Sequence, residues 1–197
     1  MNELPEHLGG HKGRTHVDQG TLTYLKNEFD IKTMLDIGCG PAGMVKLARE
    51  NNIEAFGIDG DYTVERDVDP SWITIHDYTI GPSSVNMSVD LIWSVEFLEH
   101  VYEEYQDNYM QDFIKGKYAL ITFAPPGKPG HHHVNCRLPD YWIGVFNRYG
   151  FEYDEIRTAH IRKISTMGSL GKLNKQTGQR KHRHQFVKES GLLFIKR

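Results

Sequence analysis

A glycine-rich turn between an apolar run and a helical pattern is the feature that most constrains this chain. The segment Leu35–Gly43 reads LDIGCGPAG, with glycines at positions 38, 40 and 43 in a G-x-G-x-x-G spacing. Glycines permit a sharp turn and let a ligand approach the backbone closely. The proline after the second glycine is typical of the first turn of a helix. The motif therefore predicts a strand, a ligand-binding turn and a helix in succession, which is a unit of an α/β fold.

Most of the chain alternates apolar, β-rich runs with helical patterns. The strand-like runs are Met34–Ile37, Ala55–Ile58, Trp72–Ile75, Val89–Val95 and Tyr118–Ala124. The helical patterns are Gln19–Glu28, Pro41–Asn51, Phe97–Phe113 and Pro139–Tyr149. Asp61–Pro70 is too polar and too short to predict a helix. The alternation predicts a parallel sheet with helices on both faces.

The end of the chain departs from this alternation. Phe151–Ile164 has strand character without a clear period, and Gly191–Arg197 is a second short strand candidate. Between them, Gly168–His184 is rich in glycine, lysine and arginine and poor in apolar residues, which predicts a flexible loop. Two strands joined without a helix pair antiparallel. We therefore expect an antiparallel hairpin at the end of the sheet.

Three aspartates follow the first three predicted strands, at the edge where open α/β sheets bind ligands. Asp36 precedes the glycine turn, where a carboxylate disfavours a pyrophosphate and favours a ligand with an ammonium and a sulfonium. Asp59 ends the second strand and can accept both hydroxyls of a ribose, and Asp77 can accept the amine of adenine. A single acid at the end of a strand is as consistent with a cap of a helix or turn as with a contact to a ligand. Three in order after a glycine turn favour a cofactor site.

These segments resemble the successive motifs of class I S-adenosylmethionine (SAM)-dependent methyltransferases. The motifs are LDIGCGPAG, FGIDGD, HDYT and DLIWSVEFLEHV, and the resemblance is best over residues 33–124. It implies a Rossmann-like α/β fold whose seven-stranded, mostly parallel sheet has the order 3-2-1-4-5-7-6 and ends in the antiparallel hairpin. It implies SAM as cofactor, bound by Asp36, Gly38, Cys39, Gly40, Asp59, Gly60, Asp77, Tyr78 and Ser94.

We expect one methyltransferase domain over residues 1–197. Its parts are an N-terminal cover segment and helix (1–30), a core (31–165), a flexible basic loop (166–185) and a last strand (186–197). In the resembled fold, a polar segment such as Gly9–Asp18 often closes over SAM and substrate. His16 and Asp18 could contact either molecule, although Asp18 is also a suitable cap for the first helix, and we favour the cap.

An E-x-x-E-H motif follows the fourth predicted strand. On a helix, Glu96, Glu99 and His100 are neighbours on one face, close to the transferable methyl group. Two carboxylates and an imidazole can bind a divalent metal. The alternative interpretation is a pair of helix-capping acids beside a hydrogen-bonded histidine.

A loop with three consecutive histidines follows the fifth strand, where residues 124–135 read APPGKPGHHHVN. Together with E-x-x-E-H it resembles two groups of metal-assisted O-methyltransferases, namely those of small-RNA 3′ ends and of the ubiquinone pathway. The resemblance implies Mg²⁺ or another divalent metal, held by Glu96, Glu99, His100 and His133, with His131 the next choice for the last ligand. Two alternatives stay open. One is surface histidines without a role, and the other is a general base among the candidate catalytic residues His100, His131, His132 and His133.

Charge is distributed unevenly along the chain. Residues 1–156 hold 12 basic and 25 acidic residues, whereas residues 157–197 hold 11 basic residues and one acidic residue. The basic end predicts an anionic partner, such as RNA bound through residues 157–188, or a solvated tail. The acidic remainder and the lack of aromatic residues in the basic loop argue against RNA.

Membrane and secretion signals are absent from the sequence. No apolar run approaches the roughly 18 residues of a membrane span, the N-terminus lacks an apolar signal core, and two cysteines make no disulfide framework. We therefore expect a cytoplasmic protein without a membrane partner. The predicted function is SAM-dependent O-methylation of a small-molecule or glycan acceptor. An RNA methyltransferase, a non-catalytic SAM-binding module and an NAD-dependent dehydrogenase are alternatives, and Asp36 with the terminal hairpin argues against the dehydrogenase.

Overall fold

The structure is a computed structural model that describes residues 4–11, 13–173 and 180–197. Its helices are α1 (Gln19–Phe29), α2 (Gly43–Glu50), α3 (Gln106–Phe113), α4 (Pro139–Arg148), α5 (Glu155–Ile164) and α6 (Phe186–Ser190). Its strands are β1 (Thr33–Ile37), β2 (Glu54–Asp59), β3 (Ile73–Ile75), β4 (Val89–Ser94), β5 (Gly116–Ile121), β6 (Phe151–Tyr153), β7 (Ser169–Leu173), β8 (Arg180–Arg183) and β9 (Leu192–Lys196). Among the helices of the described ranges, none has the length and apolar character that crossing a bilayer requires.

Seven of these strands form one sheet in the order β3-β2-β1-β4-β5-β9-β6. Strands β1 to β5 are parallel, and β9 runs antiparallel to both β5 and β6. Counted within this sheet alone, the order is 3-2-1-4-5-7-6. The predicted order and the antiparallel end of the sheet are therefore confirmed.

The sheet carries one apolar layer on each face. Neighbouring residues of a strand point to opposite faces, so Leu35 packs with α3 and α4, whereas Met34 packs with α1, α2 and α5. Both side chains are fully buried. The predicted helical patterns at α1, α2 and α4 are confirmed, and the segment Asp61–Pro70 forms no α-helix before a short 3-10 turn at Pro70–Trp72. This core fixes the strand ends on which the site is built.

The predicted strand at Phe151–Ile164 is wrong beyond Tyr153. The backbone leaves the sheet at Asp154, whose Oδ1 accepts the N–H of Arg157 at 2.8 Å and caps α5. Helices α5 and α6 therefore lie between the two antiparallel strands β6 and β9. These strands pair as expected, but they are not joined directly.

The predicted loop at Gly168–His184 is also wrong in part. Strands β7 and β8 pair antiparallel as a separate two-stranded sheet, with Ser169 opposite Arg183. Backbone pairing is open to any residue with a free N–H and C=O, so a run of polar residues does not prevent it. Residues 174–179 of the predicted loop lie outside the described residues.

Candidate functional site

A cavity of about 530 Å³ lies at the carboxyl ends of strands β1 to β4. Eight of the nine predicted SAM-binding residues line it, namely Asp36, Gly38, Cys39, Gly40, Asp59, Gly60, Asp77 and Tyr78. The exception is Ser94, which is fully buried and donates a hydrogen bond from Oγ to the carbonyl of Ile37 at 2.9 Å. Its hydroxyl joins β4 to β1, so it belongs to the sheet rather than to the cavity wall.

The glycine turn is held against β2 by backbone hydrogen bonds. The N–H groups of Gly38 and Cys39 both donate to the carbonyl of Ile58, at 2.9 and 3.1 Å. Gly38 has a φ of +78°, and a Cβ there would lie 2.7 Å from the ring of Phe97. The turn therefore requires glycine for conformation and for space. Its N–H and C=O groups are fixed before any ligand arrives.

Asp36 is a buried acid at the end of β1, with 4% of its surface exposed. Burial, followed by the charge of Asp59, raises the pKa of this carboxyl well above its ordinary value. A carboxylate in such a place is stabilised by a cationic partner. This arrangement fits the ammonium of a methionine moiety.

Asp59 is held rigidly at the end of β2. Its Oδ2 accepts the N–H of Gly40 at 2.7 Å, and its Oδ1 accepts the N–H of Asp61 at 2.8 Å. Arg66 lies 3.3 Å from the same Oδ1 and donates from Nε to the carbonyl of Gly40 at 2.8 Å. The sequence analysis missed Arg66, although it is the only basic residue in the acidic segment 61–70. The side chain of Arg66 therefore connects the segment after β2, which forms no α-helix, to the glycine turn.

The N-terminal strap, by which we mean residues 4–11 and 13–16, lies over the part of the cavity that Asp59 and Asp77 line. His7 Nε2 is 2.8 Å from Asp77 Oδ2, and His11 Nε2 is 3.0 Å from Asp61 Oδ2. The strap also packs tightly, since a Cβ at Gly60 would lie 2.4 Å from the side chain of Leu8. The strap thus encloses the cavity through contacts that are far apart in sequence.

The two predicted strap contacts differ in outcome. His16 lines the cavity, where its ring packs edge-on against Phe186 with the centroids 4.9 Å apart. Asp18 is fully buried and caps α1, accepting the N–H of Thr21 at 3.0 Å. The favoured interpretation of Asp18 as a cap is therefore confirmed.

The predicted helix Phe97–Phe113 is wrong over its first half. Glu96 has a φ of +56°, Leu98–His100 forms a single 3-10 turn, and α3 begins only at Gln106. The carbonyl of Glu99 accepts the N–H groups of Val134 and Asn135, at 2.9 and 3.0 Å, instead of an N–H of a following helical turn. The E-x-x-E-H residues therefore do not share a helix face. The same two bonds bring the histidine loop against this turn.

Three of the four predicted metal ligands come together. One side-chain ligand atom each of Glu99, His100 and His133 lies within 4.8 Å of the others. Glu99 is fully buried, and neither of its carboxyl oxygens meets an N–H or hydroxyl donor among the described residues, whereas the carboxyl group of Glu96 lies close enough to share a proton with it. Burial, followed by the charge of Glu96, raises its pKa well above the ordinary value. Glu96 lines the cavity but lies outside this cluster of three.

The imidazoles of this cluster carry free lone pairs. His133 Nδ1 lies 3.0 Å from the carbonyl of Lys128, so Nδ1 must be the donor and Nε2 is the nitrogen left to act as a ligand. Burial, followed by the neighbouring His133, lowers the pKa of His100 to about 4, which keeps that ring neutral. Two imidazoles beside a buried carboxyl group form a mixed nitrogen and oxygen donor set.

The other two candidate catalytic histidines differ in position. His131 lines the cavity, and a Cβ at Gly10 of the strap would lie 2.5 Å from its ring. His132 is not among the lining residues of that cavity. Its Nε2 is buried without a partner in the described structure, and its ring packs edge-on against Tyr102 at 5.3 Å between centroids. The fold therefore places His131 where it can meet a ligand and turns His132 away.

Comparison of the sequence with protein-family models and with curated proteins gives no match. Comparison of the structure with solved structures gives many. The methyltransferase domain of bacterial CtHen1-C is 16% identical with a TM-score of 0.56, over 90% of this chain and 95% of that one. A TehB-like SAM-dependent methyltransferase from Corynebacterium glutamicum is 15% identical with a TM-score of 0.55, over 91% and 89%.

A third solved structure is the 1,6-didemethyltoxoflavin-N1-methyltransferase of Burkholderia thailandensis, bound to its substrate and S-adenosylhomocysteine (SAH). It is 10% identical with a TM-score of 0.56, over 90% of this chain and 77% of that one. These proteins are similar to this chain in fold and not closely similar in sequence. The chain therefore has the fold of the class I SAM-dependent methyltransferases.

Proposed function

We propose that this protein is a SAM-dependent methyltransferase that transfers a methyl group to a hydroxyl of a small-molecule or glycan acceptor, with help from a divalent metal. One observation carries the proposal. Glu99, a buried carboxyl group that no N–H or hydroxyl donor of the described residues reaches, lies with His100 and His133 beside the cavity that Asp36, Asp59 and Asp77 line. A cofactor site and an oxygen-activating site would then meet in one enclosure.

The cavity supports SAM as the cofactor. Its volume of about 530 Å³ lies within the range of small-molecule sites. Asp36 would hold the ammonium of the methionine moiety, Asp59 the ribose hydroxyls and Asp77 the adenine amine. SAM supplies the electrophilic methyl group on its sulfonium. The protein supplies orientation through the fixed glycine turn, and the strap excludes water from the enclosure.

The Glu99 cluster supports a divalent metal. An ionised carboxylate buried without a partner is expensive by several kcal/mol, and a cation beside it removes that penalty. One carboxylate and two imidazoles suit Mg²⁺, Mn²⁺ or Zn²⁺ and leave further coordination positions for acceptor oxygens. When bound, the ion would lower the pKa of the acceptor hydroxyl. Glu99, His100 and His133 would hold it, while Glu96 would face the acceptor from the cavity wall.

The test is methyl transfer from tritiated SAM to a panel of hydroxyl probes, namely catechol, a methyl glycoside and a ribonucleoside. We expect EDTA to abolish transfer and added Mg²⁺, Mn²⁺ or Zn²⁺ to restore it. The melting temperature and SAH affinity should stay nearly unchanged, because the core and the glycine turn do not depend on the cluster. Glu99→Gln should act like EDTA, whereas the matched control Glu104→Gln, at an exposed position, should not.

Two outcomes would contradict parts of this proposal. If EDTA has no effect and His133→Ala lowers the rate by ~10²–10⁴, the histidine is a general base and the metal is not required. If the protein binds SAH tightly and transfers methyl to no hydroxyl probe and no RNA, the non-catalytic SAM-binding module is the better description. Calorimetry that shows binding of NAD and none of SAM would overturn the cofactor assignment.

An RNA acceptor is the second candidate, favoured by the charge of residues 157–197. That region holds 11 basic residues and one acidic residue. Phosphate neutralisation dominates affinity for nucleic acids, so such a region would attract an RNA strand. The β7–β8 pair lies within it. The acidic remainder of the chain favours the small-molecule acceptor instead.

A further inference from the structure

A second, smaller cavity adjoins the one just described. It has a volume of about 340 Å³, and we call it the side chamber. Four residues line both spaces, namely Glu96, Lys128, Phe186 and Glu189. Because the two spaces share these walls, an acceptor held in the larger cavity comes within reach of the side chamber.

Half of the residues that line the side chamber are apolar. Phe123 follows β5, Phe186 begins α6, and the rings of Pro125 and Pro139 complete this part of the wall. A cavity of ~150 Å³ already holds a benzene molecule when its lining is apolar. The side chamber therefore has the room and the lining for a flat apolar group.

Four charged residues line this wall, and one of them, Glu96, lies at the junction with the larger cavity. Arg162, in the last turn of α5, donates from Nε to the carbonyl of Gly191 at 2.8 Å, which fixes the side chain and leaves other N–H donors. Within the described part of the chain, no carboxylate forms an ion pair with Arg162. The ammonium of Lys128 lies 3.7 Å from a carboxylate oxygen of Glu189, so those two charges offset each other.

We infer that the side chamber binds an anionic group, a carboxylate or a phosphate, carried on a flat apolar part of the acceptor, and that Arg162 recognises it. A guanidinium offers parallel N–H donors that match two oxygens of either group. The inference deepens the proposed function, because it assigns an anionic class to the acceptor. It rests on that function only for the identity of the bound molecule as acceptor, since binding in the side chamber needs neither SAM nor a metal.

The test is fluorine NMR with two matched probes on the full chain, free of metal and of SAM. The probes are 4-fluorobenzoate and 4-fluorobenzamide, which share a ring and differ in charge. We expect saturable binding of the benzoate and at least tenfold weaker binding of the benzamide. The reason is that a guanidinium forms a stronger hydrogen bond with a charged carboxylate than with a neutral amide. Binding of 4-fluorophenyl phosphate, compared with the benzoate, shows whether phosphate or carboxylate is preferred.

Two variants locate the binding. Arg162→Met is expected to weaken benzoate binding at least tenfold, whereas Lys163→Met, which removes the same charge from an exposed position on the same helical turn, should leave it unchanged. Equal binding of both probes to the wild-type protein would overturn the inference even if Arg162→Met fails to fold. Equal weakening by the two variants, or no saturable binding of either anion, would also overturn it. Loss of metal binding or of methyl transfer with these results intact would count against the proposed function alone.

Discussion

Binding of SAM or SAH is expected to release a proton from Asp36. This carboxyl is buried at the end of β1, and burial, followed by the charge of Asp59, raises its pKa in the empty site. The ligand's ammonium would lower the pKa of Asp36 again, because an opposite charge at short range favours the carboxylate. The empty and occupied sites then hold different numbers of protons, so affinity must depend on pH.

The sign and size of this dependence follow from one proton. Below the raised pKa of the empty site, each unit of falling pH costs ~1.4 kcal/mol, which is a tenfold loss of affinity. Above that pKa the affinity becomes constant. Asp36→Asn has no proton to release, so its affinity should not vary in this way. At pH 8 the variant should bind SAH about 10- to 100-fold more weakly, because a hydrogen bond to a charged group is worth ~1.5–3 kcal/mol.

Calorimetry measures the proton directly. Titrations of SAH at one pH, in buffers that differ in enthalpy of ionisation, give the number of protons released from the slope of the observed enthalpy. The range from pH 5 to 7 keeps the ligand's ammonium charged. We expect the wild-type value to approach one at the acidic end and Asp36→Asn to lose that proton. Equal release by the two proteins, or uptake by the wild type, would refute this account of Asp36.

Three further predictions concern other parts of the site. Gly130→Ala should weaken Mn²⁺ binding, measured by paramagnetic resonance, because a Cβ at this position would lie 2.0 Å from His133 Nε2. The control variant Gly144→Ala should leave Mn²⁺ binding unchanged, since no atom lies within 4 Å of its Cβ. Equal effects of the two variants would contradict the placement of His133 in the metal site. His7→Ala should speed SAH dissociation several-fold in stopped-flow experiments, because the strap loses its bond to Asp77; an unchanged rate would show that the strap does not hold the ligand. RNA binding, if present, should weaken steeply with salt, and replacing the lysine and arginine residues of 180–183 should flatten that dependence; no binding at low salt would remove the case for RNA.

The parts of the fold that were predicted correctly are those that local patterns determine. The central strands β1 and β4 are almost wholly buried, and such strands give the apolar runs that the sequence shows. Asp36 and Asp59 mark the ends of β1 and β2. The helix α5 was missed because its signal is a single cap at Asp154 within a segment of mixed character. The β7–β8 pair was missed because backbone pairing leaves no apolar trace in the sequence.

The candidate site, too, could be predicted only where the local sequence determines it. The glycine turn with Asp36 and Asp59 is local, and its position in the cavity could be predicted. The turn at Glu99 could not be predicted, since its shape depends on hydrogen bonds from residues 134 and 135, far along the chain. The strap contacts of His7 and His11 are equally remote from their partners in sequence. Such contacts become visible only when the strands bring distant segments to one edge.

The two bonds that join the Glu99 turn to the histidine loop are made by peptide groups alone. Every amino acid carries the same carbonyl, and every residue but proline the same N–H. These two hydrogen bonds therefore do not depend on which side chains the turn and the loop carry. Replacing Glu99 or His133 with cysteine would exchange an oxygen or nitrogen ligand for a softer sulfur ligand, which favours different metal ions. The backbone hydrogen bonds of the turn would be kept. The same framework would therefore carry a different set of donor atoms at the same place in the enclosure.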